Sequence, residues 1–403
     1  MFLPMATPCD PRKPESSALT MKAVFLCLAF LAATAMTARA EAPPRAAAVA
    51  DTVAVPDPAG DAPYYFYKRA GEGSDLLTNP LRLILNGGFG IIGVESRSNV
   101  LGDIDYANGW ENLWLNLGNP IEAIEEKGWW DFFSSEVIPV SFNSGNAQYW
   151  PNYWNHLLGG GFSYRLMREW YRAHGFAHES RWALTTMVAY HLTNETVEMD
   201  DKTGWRVDPI ADVYIFDVAG ILLFESDRVA RFFGETMNMS DWSLQPFYDP
   251  RRGRMDNIGL KYMMRLRLGR ATPWHLFYHW GNSGELGLSR DLGGGHFVSA
   301  GAGWLAANIT DVDGISETAE LANSFGMFYD RGGSLMASAL YSRKTDDRWR
   351  LNLYPGLVKI GPLRPGLTFI DTRSGDVLVG VTLGNAPLVP FGYGGRVATG
   401  NRE

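Results

Sequence analysis

Past Met255 the chain keeps a two-residue rhythm, and that rhythm constrains the fold more than any other feature of the sequence. Ile258, Leu260, Tyr262, Met264, Leu266 and Leu268 alternate with Gly259, Lys261, Met263, Arg265 and Arg267. In extended backbone this puts a continuous apolar row on one face and a largely basic row on the other. Trp274, Leu276, Tyr278 and Trp280 repeat the pattern against His275, Phe277 and His279, and Gly281-Asn282-Ser283-Gly284 turns the chain. Further strands are expected at Phe297 to Ala306, Ser324 to Tyr329, Ser334 to Ser342, Arg348 to Tyr354, Leu367 to Asp371 and Val377 to Leu383, with a weaker one at Glu285 to Leu292. The short turns between them predict an antiparallel meander. The expected fold class is α+β: an antiparallel β-barrel or sandwich over residues 255–390, joined to a three-helix insert.

The alternation leaves open which way the apolar row faces. In a soluble barrel or sandwich it points into a core. In an outer-membrane barrel it points at lipid, while Lys261, Arg265, Arg267, Arg348, Arg350 and Asn352 line a wet interior. Residues 257–268 are long enough to cross a bilayer, since a tilted membrane strand needs about 9–11 residues. Trp274, Trp280, Trp304, Tyr341 and Trp349 would suit an interfacial girdle, and a chain with 44 Gly and 13% aromatics suits tight turns and such girdles.

The N-terminal region points to export. Met21-Lys22, an apolar run from Ala23 to Ala35 and then Ala38-Arg39-Ala40 describe a signal peptide over residues 1–40 with cleavage before Glu41. Residues 1–20, with four prolines, lack that logic and are expected to be an over-extended start. Both cysteines, Cys9 and Cys27, fall in the removed part, which suits an oxidising compartment. Losing Arg12, Lys13, Lys22, Arg39, Asp10 and Glu15 leaves 32 basic and 42 acidic residues. So acidic a chain, without a basic stripe, argues against a nucleic-acid partner. Residues 41–75, rich in Pro and Ala, read as a disordered tether. Residues 76–151 read as a hairpin, Leu81 to Leu85 and Phe89 to Val94 around Asn86-Gly87-Gly88, followed by an irregular aromatic segment.

Residues 152–240 change to a helical period. Trp154, Leu158, Phe162, Leu166 and Trp170 recur every four residues, with Arg165, Arg168, Glu169 and Arg172 on another side. A second helix is expected from Ser180 to Glu198 and a third from Asp208-Pro209, capped by Asp208, to about Phe233. Polar groups fall on the apolar faces of these helices. His191 and Glu195 stack one turn apart beside Leu184, Met187 and Val188, and Asp217 shares a face with Val213, Tyr214 and Ile221. Buried ionisable groups are costly unless paired, so His191, Glu195 and Asp217 should meet one another, His156, Glu198, Asp212 or a ligand. His191, Glu195 and Asp217 are the candidate catalytic residues. His156, Gly160 and Asp212 are the candidate ligand-binding residues. A histidine and a carboxylate four residues apart can share a cation with a third ligand from the next helix, although no two-histidine zinc signature is present. No cofactor is required by the sequence. The alternative is a hydrogen-bonded network that locks the helices together. Asp311-Val312-Asp313-Gly314 begins a calcium-loop pattern but lacks its closing glutamate, so a turn is expected there.

The stretch His156-Leu157-Leu158-Gly159-Gly160-Gly161, Tyr164-Arg165, His174-Gly175, Glu179-Ser180, Glu195, Pro209, Asp212 and Gly220 resembles a pattern found in uncharacterised Gram-negative envelope proteins. In these a Gly-rich helix, a buried glutamate and a later Asp followed by Gly recur. The resemblance covers about residues 150–225. It implies an envelope location and a membrane-associated body, and brings no activity. The expectation is an outer-membrane or periplasmic protein whose partners are the outer membrane, its lipids, or a small or lipidic ligand. Its competitor is a hydrolase of envelope lipid or glycan.

Overall fold

A computed structural model describes residues 63–94, 97–138, 150–311, 317–384 and 391–397. The expected signal peptide, the first part of the tether and the tip of the calcium-loop-like turn lie outside the described residues. From residue 63 onward the expected tether is docked. The backbone N–H groups of Tyr65, Phe66 and Tyr67 donate to the Glu169 carboxylate at 2.8–3.1 Å. Arg165 donates to the same carboxylate at 3.1 Å, so Glu169 and Arg165 pin the incoming chain rather than facing solvent.

The helices are α1 (Pro80–Gly88), α2 (Tyr106–Gly118), α3 (Pro120–Lys127), α4 (Trp129–Phe132), α5 (Gly161–Ala173), α6 (Glu179–Glu198), α7 (Asp208–Ile210), α8 (Val218–Glu225) and α9 (Asp227–Arg231). A π-type stretch, Trp150–Gly160, leads into α5, and another, Ala211–Asp217, joins α7 to α8. The hairpin expected at 81–94 is not formed, because α1 occupies its first half. Asn79 caps the helix by accepting from the Arg82 N–H, and Pro80 sits in the first turn. Gly87 and Gly88 serve close packing instead of a turn: a Cβ on Gly87 would lie 2.4 Å from the Tyr190 ring, and one on Gly88 2.7 Å from Thr193. Where it is described, the aromatic segment is largely helical as well. The buried face of α2 is mixed, with Asn112 and Asn116 buried beside Leu113 and Leu117 while Trp110 and Trp114 are exposed. Asn116 accepts from the Arg206 N–H at 2.8 Å. A search for apolar faces passes over such a helix.

The expected insert corresponds to α5, α6 and α7–α8, but it packs with α1 and α2 as part of a larger helical unit. The third helix stops at Ser226, where the backbone turns extended before α9. This unit covers the outer side of two strands: Tyr262, Met264 and Trp280 share a cluster with Phe162, Tyr190 and Phe224. The Trp280 indole donates to the Trp154 carbonyl at 3.0 Å.

The strands are β1 (Ser240–Asp241), β2 (Phe247–Asp249), β3 (Arg254–Asp256), β4 (Lys261–Arg267), β5 (Trp274–Gly281), β6 (Ser283–Gly293), β7 (His296–Asp311), β8 (Glu317–Arg331), β9 (Ser334–Ser342), β10 (Asp347–Leu353), β11 (Pro365–Thr372), β12 (Val377–Leu383) and β13 (Gly392–Val397). They form one 13-stranded mixed sheet in the order β1-β4-β5-β6-β7-β8-β9-β10-β11-β12-β13-β2-β3. From β4 to β13 every neighbour is antiparallel, as the alternation predicts, and β13 pairs with β2 in parallel. The hydrogen-bonded sheet is not closed, so the expected barrel is not formed as a continuous ladder.

The sheet is nonetheless strongly curled. Arg265 on β4 meets Asp330 on β8 at 2.5 Å, although four strand spacings in a flat sheet would separate them by about 19 Å. One stretch of chain supplies strands near both ends: Ser240–Asp241 pair with β4, and Phe247–Tyr248 pair with β13.

The two faces of the sheet are inverted relative to an ordinary core. The inner face buries Lys261, Arg265, His279, Glu285, Ser289, Ser299, Asp330, Asn352 and Thr368. A knot of Leu77, Trp242, Met263, Phe277, Phe328, Leu335 and Tyr354 fills the space among them. The outer face exposes Leu276, Leu286, Leu288, Phe325, Phe369 and Val381, with Leu286 at 58% and Trp304 at 59%. Of the expected girdle, Trp274 and Trp304 are exposed while Trp280 is buried beneath the helical unit.

Candidate functional site

The site lies where the two π-type stretches cross α6. A π-type turn inserts one residue per turn and re-aims the side chains beside it, and such turns gather at functional positions. One stretch carries His156 and Gly160, and the other carries Asp212 and Asp217. Glycines at the start of the helices that follow, α5 and α8, let the chain touch backbone to backbone there. A Cβ on Gly161 would lie 2.5 Å from the Gly220 carbonyl oxygen, and one on Gly220 would lie 2.5 Å from that of Leu157. His156 and Asp217, each a few residues from this crossing, are thereby brought face to face.

Asp217 bridges two imidazoles. Its Oδ1 is 2.9 Å from His156 Nδ1 and its Oδ2 is 2.9 Å from His191 Nδ1. The other nitrogen of His156, Nε2, is 3.1 Å from Asp212 Oδ2. All four residues are more than nine-tenths buried. Both imidazoles lie within hydrogen-bond distance of Asp217, and His156 Nδ1 makes a hydrogen bond to it. Gly160 forms a wall of the site, its missing Cβ position 3.6 Å from Asp217 Oδ1 and 3.8 Å from His191 Cε1.

The electrostatics are lopsided. Burial, reinforced by the charges of Asp208, Glu195, Asp217 and Glu198, holds the Asp212 carboxyl well above the usual carboxylate range. Burial pulls Asp217 the same way, but His191 and His156 outweigh it and keep that carboxyl below its ordinary value. The result is one carboxyl favoured in its ionised form between two imidazoles, beside another that burial disfavours as an ion.

The sequence-derived candidates thus converge. His156, His191, Asp212 and Asp217 touch, Gly160 lies against them, and Glu195, fully buried one turn past His191, adds its charge at Asp212. Two contributors escaped the sequence. Tyr190 stacks on the His191 ring with centroids 4.0 Å apart, and burial pushes its hydroxyl well above the ordinary tyrosine value. Asp208, expected as a cap, sits inside the first turn of α7 and supplies charge instead. For Tyr190 the available signal was its adjacency to His191 on a buried face.

Chemically the cluster offers two options. The row His191, Asp217, His156, Asp212 can pass a proton. His156, His191 and Asp217 also each present a ligand atom, all within 4.8 Å of one another, so they could hold a metal ion. No protein-family model, curated protein or solved structure matches the chain.

Proposed function

We propose that this is an exported, outer-membrane β-barrel protein, in which the curled sheet enters the bilayer and holds the helical unit against its side. One observation carries the proposal: the sheet is apolar outside and polar inside. A water-soluble barrel with Leu276, Leu286 and Leu288 turned outward, and Lys261, Glu285 and Arg265 turned inward, would expose its greasy surface and bury its charges. In lipid the same arrangement is favourable on both faces. Closure is supported by the stretch 240–249, which supplies strands beside both β4 and β13. No helix among the described residues is long and apolar enough to cross a membrane. The aromatic knot inside favours a scaffold or small-ligand role over free passage. A cavity of about 220 Å³ beside it, lined by Lys261, Ser283, Glu285, Ser324 and Arg350, has room for a small polar ligand.

Cell fractionation combined with gel mobility tests this. The protein is expected to stay with outer membranes through a high-salt wash, and its unboiled form to migrate differently from its boiled form. Release by salt, with identical mobility before and after boiling, would refute the membrane barrel.

A second reading, hydrolysis of envelope lipid or glycan by His191, Glu195 and Asp217, is favoured by Asp217 bridging two imidazoles beside a second acid, an arrangement suited to general acid–base work.

A further inference from the structure

We infer that His156, His191 and Asp217 bind one divalent transition-metal ion, with Asp212 orienting His156 from behind. The inference stands whether or not the sheet enters a membrane, because it concerns the helical unit alone.

Three independent features point to a cation. The first is geometry. Two donors of one ion, each about 2.0–2.2 Å from it, are about 3.4 Å apart in a tetrahedral site and about 3 Å apart at the right angles of an octahedral one. Asp217 lies 2.9 Å from His156 Nδ1 and 2.9 Å from His191 Nδ1. The second feature is the support behind the ligands. With Nδ1 of His156 on the metal, its Nε2–H can donate to Asp212 Oδ2 at 3.1 Å, the carboxylate–histidine–metal relay that fixes tautomer and ring orientation. The Tyr190 ring, stacked on His191, holds the second imidazole in place.

The third feature is charge. The three carboxyl groups of Asp212, Asp217 and Glu195 are buried together with two imidazoles, an excess of acidic over basic groups. A divalent ion offsets that excess where solvent cannot. Nitrogen and carboxylate donors favour zinc, iron(II), cobalt(II) or manganese(II) over calcium or magnesium. Three protein ligands leave positions for water or substrate, the pattern of catalytic rather than structural sites.

The test uses the full chain, purified without chelator and dialysed in turn against zinc, manganese, iron(II) and cobalt(II), with metal content read by mass spectrometry. About one ion per chain is expected for at least one metal, and a chelator should lower the melting temperature until that metal is returned. Replacing cobalt into the site should give absorption bands that His191→Gln alters and Asp217→Asn abolishes. The chelation arm needs no variant, so it stands even if the substitutions fold poorly. A parent that retains no stoichiometric metal after every dialysis, and melts identically with and without chelator, would overturn the inference and leave a hydrogen-bonded network.

Discussion

Asp75 sits in a turn of the docked N-terminal segment, with its Oδ2 sealed from solvent and lacking a hydrogen-bond partner. Burial raises its pKa to about 6, Lys68 pulling it down and Asp241 and Asp330 pushing it up. The folded protein therefore keeps this proton between about pH 4 and 6, where an unfolded chain has lost it. Its contribution to stability is full below pH 4 and is lost as the pH rises through 6. Asp75→Asn should match the parent at pH 4 and exceed it by up to about 3 kcal/mol at pH 7, measured as the difference between their denaturation curves. An equal difference at both pH values would show that the carboxyl titrates normally. At this scale the sequence was legible wherever burial could be inferred from a helix face: His191, Glu195 and Asp217 were found that way. It was illegible for Glu169, which lies among arginines and looks solvated, because its partners, the amides of residues 65–67, come from about a hundred positions away.

The glycine crossing of α5 and α8 makes an element-scale prediction. Gly160 and Gly161 are neighbours with different roles. A methyl group on Gly161 would strike the Gly220 backbone at 2.5 Å, whereas one on Gly160 meets nothing closer than 3.6 Å. Gly161→Ala should force the helices apart, lower stability by about 1–3 kcal/mol and separate His156 from Asp217. Gly160→Ala should fold as the parent does while crowding the metal position. Denaturation and metal content measured on both variants check this, and equal stability of the two would count against the crossing. Element type was readable for α5 and α6, but only in α5 do apolar spacing and buried face agree: in α6 Leu184 and Val188, expected on the buried face with His191, are exposed. It was misread for α1 and α2. Gly87-Gly88 has the same composition whether it turns a hairpin or admits Tyr190, and α2 buries its asparagines.

For the whole molecule, the direction of the apolar row decides the environment. Leu286, in the middle of β6, is 58% exposed on the outer face. In a bilayer Leu286→Arg should cost about 2–4 kcal/mol and impair folding into lipid vesicles. On a water-facing surface the same change is worth less than about 0.5 kcal/mol. Comparing vesicle-folded yields of parent and variant separates the two, and an unaffected variant would remove the lipid-facing reading. The curl of the sheet also explains how Arg265 and Asp330 can both be buried: each finds the other across the interior, which offsets part of the cost of removing them from water.

Two properties were determined by the sequence alone. The period of two past Met255 committed that region to antiparallel strands, and the positions of His191, Glu195 and Asp217 committed ionisable groups to helix interiors. Both follow from local geometry, since strand and helix assign each residue a face by its number. Tertiary structure decided which face of the sheet turned inward, that the helical unit covers β4 and β5, and that His156, His191, Asp212 and Asp217 meet at one point. Those outcomes depend on the curvature of a sheet and on the closeness of two helices. Both are set by contacts between residues far apart in the chain, which no local pattern specifies.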